Sequence, residues 1–165
     1  MLNILQFREL IVKSTLNDLL MYSQNAEELM VFTCAVESLG GHYLKQVKGP
    51  ALGIYQMEPQ TYNDIWQNYI HNQGGLLLKL FSNFGLTYMP AEDILIYDLR
   101  FATAMTRIFY QRIKEPLPDY RNVDAIWAYY KKYYNTELGS ATKVESINKY
   151  TNFLHNSHLR NLILV

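Results

Sequence analysis

The chain has 165 residues, with 15 Lys+Arg balanced by 15 Asp+Glu and so no formal net charge at neutral pH. That length suits one domain able to bury roughly 70% of its unfolded surface without staples. The charge balance argues against a nucleic-acid binder that works by counterion release, and the lone cysteine, Cys34, excludes an internal disulfide framework and a cysteine-built zinc site.

The first expected element is a helix over about 7–22, where Leu10, Ile11, Leu16, Leu19 and Leu20 make a rough apolar stripe. Asn25 with Glu28 three positions on is a capping-box pattern that starts a second helix. That helix runs to about Ser38, with Leu29, Met30, Phe32, Thr33 and Val36 inward, and Gly40-Gly41 stops it. Between 40 and 58 the glycines and prolines at 40, 41, 49, 50 and 53 forbid a long helix, and 52–57 reads as a short strand or extended loop. Helix resumes near Pro59 with Ile65, Trp66, Tyr69 and Ile70, and a short helix follows at 76–83. Pro90-Ala91-Glu92-Asp93 opens a helix to about Lys114, on whose inner face Asp98 falls in line with Ile94, Phe101 and Met105. A further helix covers 122–134, a Gly139-containing loop follows, and Thr142 with Glu145 caps the last helix. The expectation is a mainly α single domain with one short extended or β segment near 50–57.

The apolar runs, Leu76-Leu77-Leu78 and 162–165 among them, fall far short of the ~20 residues of a membrane helix. The first residues lack the basic stretch and long apolar core of a secretory signal. The chain is expected to be made soluble, without stable membrane insertion.

Glu37 is the first chemical candidate. It ends the apolar stretch Phe32-Thr33-Cys34-Ala35-Val36 in the last turn of a helix. A carboxylate there faces the wrong end of the helix dipole and loses water to apolar neighbours. Both effects raise its pKa, as a general acid requires; the alternative is a solvated last-turn glutamate. Gly40, Gly41 and Gly53 leave room for backbone or ligand beside it, although they also serve as turn formers.

Glu37-Ser38 before glycine, then Ala51-Leu52-Gly53-Ile54-Tyr55-Gln56-Met57, then Tyr134-Asn135-Thr136-Glu137-Leu138-Gly139, resemble in order and spacing the three motifs of the soluble lytic transglycosylases with the goose-type lysozyme fold. The likeness spans about 25–150, with 1–24 as an N-terminal helical extension. The wording Gly49-Pro50-Ala51-Leu52-Gly53-Ile54-Tyr55-Gln56-Met57-Glu58-Pro59 is similar to phage and prophage members. The resemblance implies a lysozyme-like fold and cleavage of peptidoglycan glycan strands without a cofactor or metal. It implies Glu37 as the sole acid and base, acting on the bond between N-acetylmuramic acid and N-acetylglucosamine. Ser38, Tyr55, Gln56, Tyr129, Tyr134 and Asn135 would form the substrate site, with the Tyr134 hydroxyl orienting Glu37. Ala128-Tyr129-Tyr130 is an alternative alignment of the third motif, which leaves open which tyrosine faces Glu37. A phage setting implies an endolysin released through a holin or a virion component, acting at the cell wall.

Glu58 is the possible second carboxylate, needed if the chain is a true hydrolase; otherwise it is an acid ahead of the next helix. A virion structural protein that keeps the fold without turnover is the remaining alternative. His155 and His158 are i,i+3 without a third ligand, Cys34 reads as a small core residue, and Asp98 as a hydrogen-bonded core acid. Trp127, Tyr129, Tyr130, Lys131, Lys132, Tyr133 and Tyr134 divide between core and a sugar platform.

Overall fold

A computed structural model describes residues 1–136 and 139–160, with side chains to 156. Glu137, Leu138, the His158 side chain and the apolar run 162–165 lie outside the described residues. The helices are α1 (Ile4–Gln6), α2 (Ser14–Asp18), α3 (Gln24–Ser38), α4 (Pro59–Asn68), α5 (Gly74–Phe84), α6 (Ile94–Tyr97), α7 (Leu99–Gln111), α8 (Val123–Tyr130) and α9 (Lys143–Arg160). The chain is mainly α.

The centre of the fold is α3. Leu29, Met30, Val31, Phe32, Cys34 and Ala35 are all fully buried, so the helix is apolar on every side. The N-terminal helices, α7, α8 and α9 pack around it. Its start is Ser23, whose Oγ accepts from the Ala26 N–H at 3.1 Å, and not Asn25, whose Oδ1 accepts from the Tyr120 N–H instead. Glu28 is drawn inward by Arg8 at 2.6 Å and by the Tyr150 hydroxyl. The helix ends where Leu39, Gly40 and Gly41 turn left-handed. A β-carbon at Gly40 would stand 2.5 Å from the Phe153 ring, which admits only glycine there.

Residues 1–24 share the hydrophobic core with the rest of the chain. A π-helical stretch, Phe7–Lys13, joins α1 to α2. Its wider turn sets buried Phe7 and Val12 five residues apart, so the inward stripe is Ile4, Phe7, Val12, Thr15, Leu16 and Leu19. The expected stripe is corrected at Leu10 and Leu20, which are 61% and 78% exposed.

The segment after α3 is held by two antiparallel bridges, Lys45 to Leu52 and Leu52 to Met57, and among the described residues no larger sheet forms. Its turn, residues 53–56, needs Gly53: φ is 73°, and a β-carbon would meet the Leu95 carbonyl oxygen at 2.1 Å. The expected continuous helix to Lys114 is broken at Asp98. Asp98 is extended and half-buried, and its carboxylate caps α7 through the Phe101 N–H at 2.8 Å. It is a cap, not a core acid within one helix. α8 starts on Asn122, which accepts from Ala125 N–H at 3.0 Å, and runs on into a second π-helical stretch, Lys131–Asn135. Thr142 and Glu145 form the expected capping pair of α9. Among the described residues no helix is long and apolar enough to cross a membrane.

Candidate active site

A cleft of about 510 Å³ opens beside the C-terminal end of α3. One wall is Glu37, the second is the turn carrying Gln56, Met57 and Glu58, and the third is Phe109 with Tyr134, Asn135 and Thr136. Three segments far apart in the chain meet there.

Ser38 makes the junction of the first two walls. Its hydroxyl donates to the Ile54 carbonyl at 2.6 Å and accepts from the Gly41 N–H at 2.9 Å. This clamps the glycine turn and the 53–56 turn to the helix end. Gln56 takes a left-handed conformation, φ 48°, and its side-chain amide donates to the Gly53 carbonyl at 2.7 Å. That bond fixes the side chain on the cleft side of the turn.

The third wall is built from stacked rings. Tyr134 lies nearly parallel to Tyr110 and to Tyr130, with centroids 5.5 Å and 6.1 Å away, and Phe109 meets it edge-on at 5.0 Å. Its hydroxyl donates to the Tyr55 carbonyl at 2.8 Å and so joins the third wall to the second. Asn135 Oδ1 accepts from Lys131 Nζ at 2.8 Å, and the same ammonium donates to the Gly139 carbonyl at 2.7 Å. A β-carbon on Gly139 would come within 2.3 Å of the Asn135 carbonyl oxygen, so this loop closes only on glycine.

Glu37 is largely withdrawn from water, and burial lifts its pKa to about 7. Two groups oppose that lift. Tyr130 donates its hydroxyl to Glu37 Oε1 at 2.5 Å, and the Lys149 ammonium acts through its charge. Desolvation prevails, so near neutral pH the carboxyl can both hold and release a proton. Burial and the neighbouring carboxyl raise the Tyr130 hydroxyl well above the usual phenol range, which keeps it a donor.

Glu37, Gln56, Glu58, Tyr134 and Asn135 all line the cleft. Three expectations are corrected. The tyrosine on Glu37 is Tyr130, not Tyr134, whose hydroxyl reaches the Tyr55 carbonyl. Ser38 and Tyr55 do not present side chains to the cleft. Ser38 is fully buried in the junction just described, and Tyr55 is 1% exposed with its hydroxyl 3.0 Å from Thr103 Oγ1. Tyr129 is also buried away from the cleft; its hydroxyl donates to the Glu115 carbonyl at 3.1 Å. Lys132 and the Tyr133 hydroxyl are both engaged by the Glu115 carboxylate at 2.6 Å. Glu58 is exposed at the start of α4 and its side chain makes no capping bond.

Lys149, Phe109 and Thr136 belong to the site without having been singled out in the sequence. Lys149 lies on the last helix, 12 positions beyond Glu37 plus a hundred, and no local pattern ties the two; its Nζ reaches the Val36 carbonyl at 3.4 Å. Among the described residues no cluster of three or more His, Cys, Asp or Glu could hold a metal ion. Cys34 is fully buried, and its thiol is pushed up to about 12 by that burial. Comparison of the chain with protein-family models, curated proteins and solved structures finds no match.

Proposed function

We propose that this protein is a peptidoglycan-cleaving lytic transglycosylase with a lysozyme-like fold, and that Glu37 is its one acid and base. The observation that carries the reading is the Glu37 carboxyl itself: set in the wall of a cleft, lifted to about 7 and held by the Tyr130 hydroxyl. The cleft volume falls within the ~300–1,000 Å³ of sites that enclose small ligands, which suits saccharide units.

In this reading the protonated Glu37 gives its proton to the oxygen between N-acetylmuramic acid and N-acetylglucosamine, and the muramic C1–O bond breaks. Positive charge develops at C1 beside the new carboxylate. Glu37 then takes the proton of the muramic 6-hydroxyl as that oxygen bonds to C1. The anhydro ring closes without water, and the carboxyl is protonated again. Tyr130 orients the carboxyl and steadies its ionised form between the two transfers. The Gln56 amide is placed to hydrogen-bond the sugar or its acetamido group. The substrate supplies the nucleophile, so no second carboxylate and no cofactor is needed.

Glu58 on the same cleft favours one competing reading, a hydrolase in which it activates water. Digestion of purified murein followed by mass spectrometry separates the two. Anhydro-ended products, lighter by one water than reducing-ended ones, are expected from the wild type and from Glu58→Gln, and none from Glu37→Gln. Hydrated products, or a Glu58→Gln variant as inactive as Glu37→Gln, would assign the hydrolase. No cleavage by wild-type protein would leave a structural role in a virion. The resemblance to phage proteins points to a phage endolysin or virion component as the setting for this activity.

A further inference from the structure

A second cavity, about 190 Å³, lies at the C-terminal end of α7 and is bordered by Arg107, Tyr110, Gln111, Lys114 and Glu115. Arg107 is 7% exposed. Its Nη1 has no hydrogen-bond partner, and its Nε reaches only the Met21 carbonyl, at 3.4 Å. No carboxylate pairs with it among the described residues. The Glu115 carboxylate beside the cavity is already held by Lys132 and the Tyr133 hydroxyl, both at 2.6 Å. The buried arginines of folded proteins ordinarily meet a carboxylate or phosphate through their planar fork. A guanidinium stays charged in proteins, so it cannot escape burial by losing its proton.

We propose that this cavity is a binding site for a small oxyanion, a carboxylate or a phosphate group, received by Arg107. The site stands apart from the Glu37 cleft and does not rest on the reading of that cleft. Its size is below the ~300–1,000 Å³ of ordinary ligand pockets, so it takes a terminal group or a free ion and not a sugar chain. The end of α7 contributes about half a negative charge, which opposes an anion. The full charge of Arg107, with the Lys114 ammonium bordering the same space, exceeds it. The aromatic floor is Tyr110, whose hydroxyl lies 2.9 Å from Thr33 Oγ1, so the cavity has a rigid base.

The test is thermal melting of the full chain with N-acetylglycine, N-acetylglycinamide, inorganic phosphate or chloride at matched ionic strength. A saturable rise in melting temperature with N-acetylglycine or phosphate, absent with the amide and with chloride, is expected. The more effective of the two identifies a peptide-type carboxylate or a phosphate as the ligand. Arg107→Met should abolish that rise. It should itself melt at least ~2 °C higher than the anion-free wild type, since it removes an unpaired buried charge. The proposal is overturned if neither oxyanion exceeds chloride, if the amide acts as well as the acid, or if Arg107→Met keeps the response. Should the variant not fold, NMR titration of the wild type decides. The Arg107 Nε–H signal and the amides of 110–115 must move with one midpoint on adding the oxyanion, and their failure to move overturns the proposal.

Discussion

Glu37 and Arg107 are both ionisable side chains withdrawn from water by one helical core, and they respond to that burial in opposite ways. Glu37 can become neutral. Its carboxyl is lifted to about 7, and a single hydroxyl partner suffices. Arg107 cannot discharge at any physiological pH, and it stands without a carboxylate among the described residues. Tyr110 lies between them: it borders the Arg107 cavity and stacks on Tyr134 of the cleft wall. The same desolvation therefore yields a proton carrier on one side of the rings and an unsatisfied cation on the other. Charge that can be shed makes chemistry possible, whereas charge that cannot be shed calls for a ligand.

The largest expected effect is on activity. Glu37→Gln should lower murein cleavage by about 10⁴ or more, because one group performs both proton transfers. The same variant should raise stability, with a sign set by linkage. The folded pKa is raised from 4.5 to about 7. Below pH ~4.5 the carboxyl is neutral in both states, so its favourable burial is fully present and the variant gains little. As pH rises toward and past 7 that contribution is lost, and at pH 8 the variant should be more stable by about 3 kcal/mol. Urea unfolding at pH 4 and pH 8 measures the difference.

Arg107→Met should stabilise by roughly 1–4 kcal/mol, equally at pH 5 and pH 8, since arginine does not titrate there. A pH-dependent gain would break the contrast between the two buried groups. Tyr130→Phe is the next in size. It removes a hydrogen bond to the ionised carboxyl, so the basic limb of the pH–activity curve, expected near 7, should move upward, with a loss of about tenfold in rate. Tyr134→Phe should leave that limb in place and cost about 1 kcal/mol of stability through the orphaned Tyr55 carbonyl. If Tyr134→Phe moves the limb and Tyr130→Phe does not, the assignment of Tyr130 to Glu37 fails.

Glu37 and Gln56 were legible because local signals place them: an apolar helix ending in glycines, and a glycine turn of fixed spacing. The α9 capping pair was legible for the same reason. Tyr130 was harder, since four tyrosines follow one another and a π-helical stretch sets in just after it, which shifts the phase that a 3.6-residue reading assumes. Ser38 and Tyr55 have polar atoms suited to a cleft, but their partners, Ile54 and Thr103, come from other segments, and only the fold brings them near. Asp98 falls on an apolar row and still lies outside the core, because a cap position is decided by where the chain bends. Arg107 gave no signal at all. A basic residue within a helix reads as solvated, and nothing local shows that its neighbourhood will exclude water.

The two π-helical stretches have a consequence for how this chain tolerates change in length. Each holds one residue more than an α-helix of equal rise, so a one-residue deletion can be absorbed by a return to α geometry. In Phe7–Lys13 such a deletion would change only the surface order before the buried stripe resumes. In Lys131–Asn135 it would rotate all that follows by about 100° and carry Asn135 and the Gly139 loop off the cleft. Lineages of this protein are accordingly free to gain and lose a residue near the first stretch, and are held to constant length across the second.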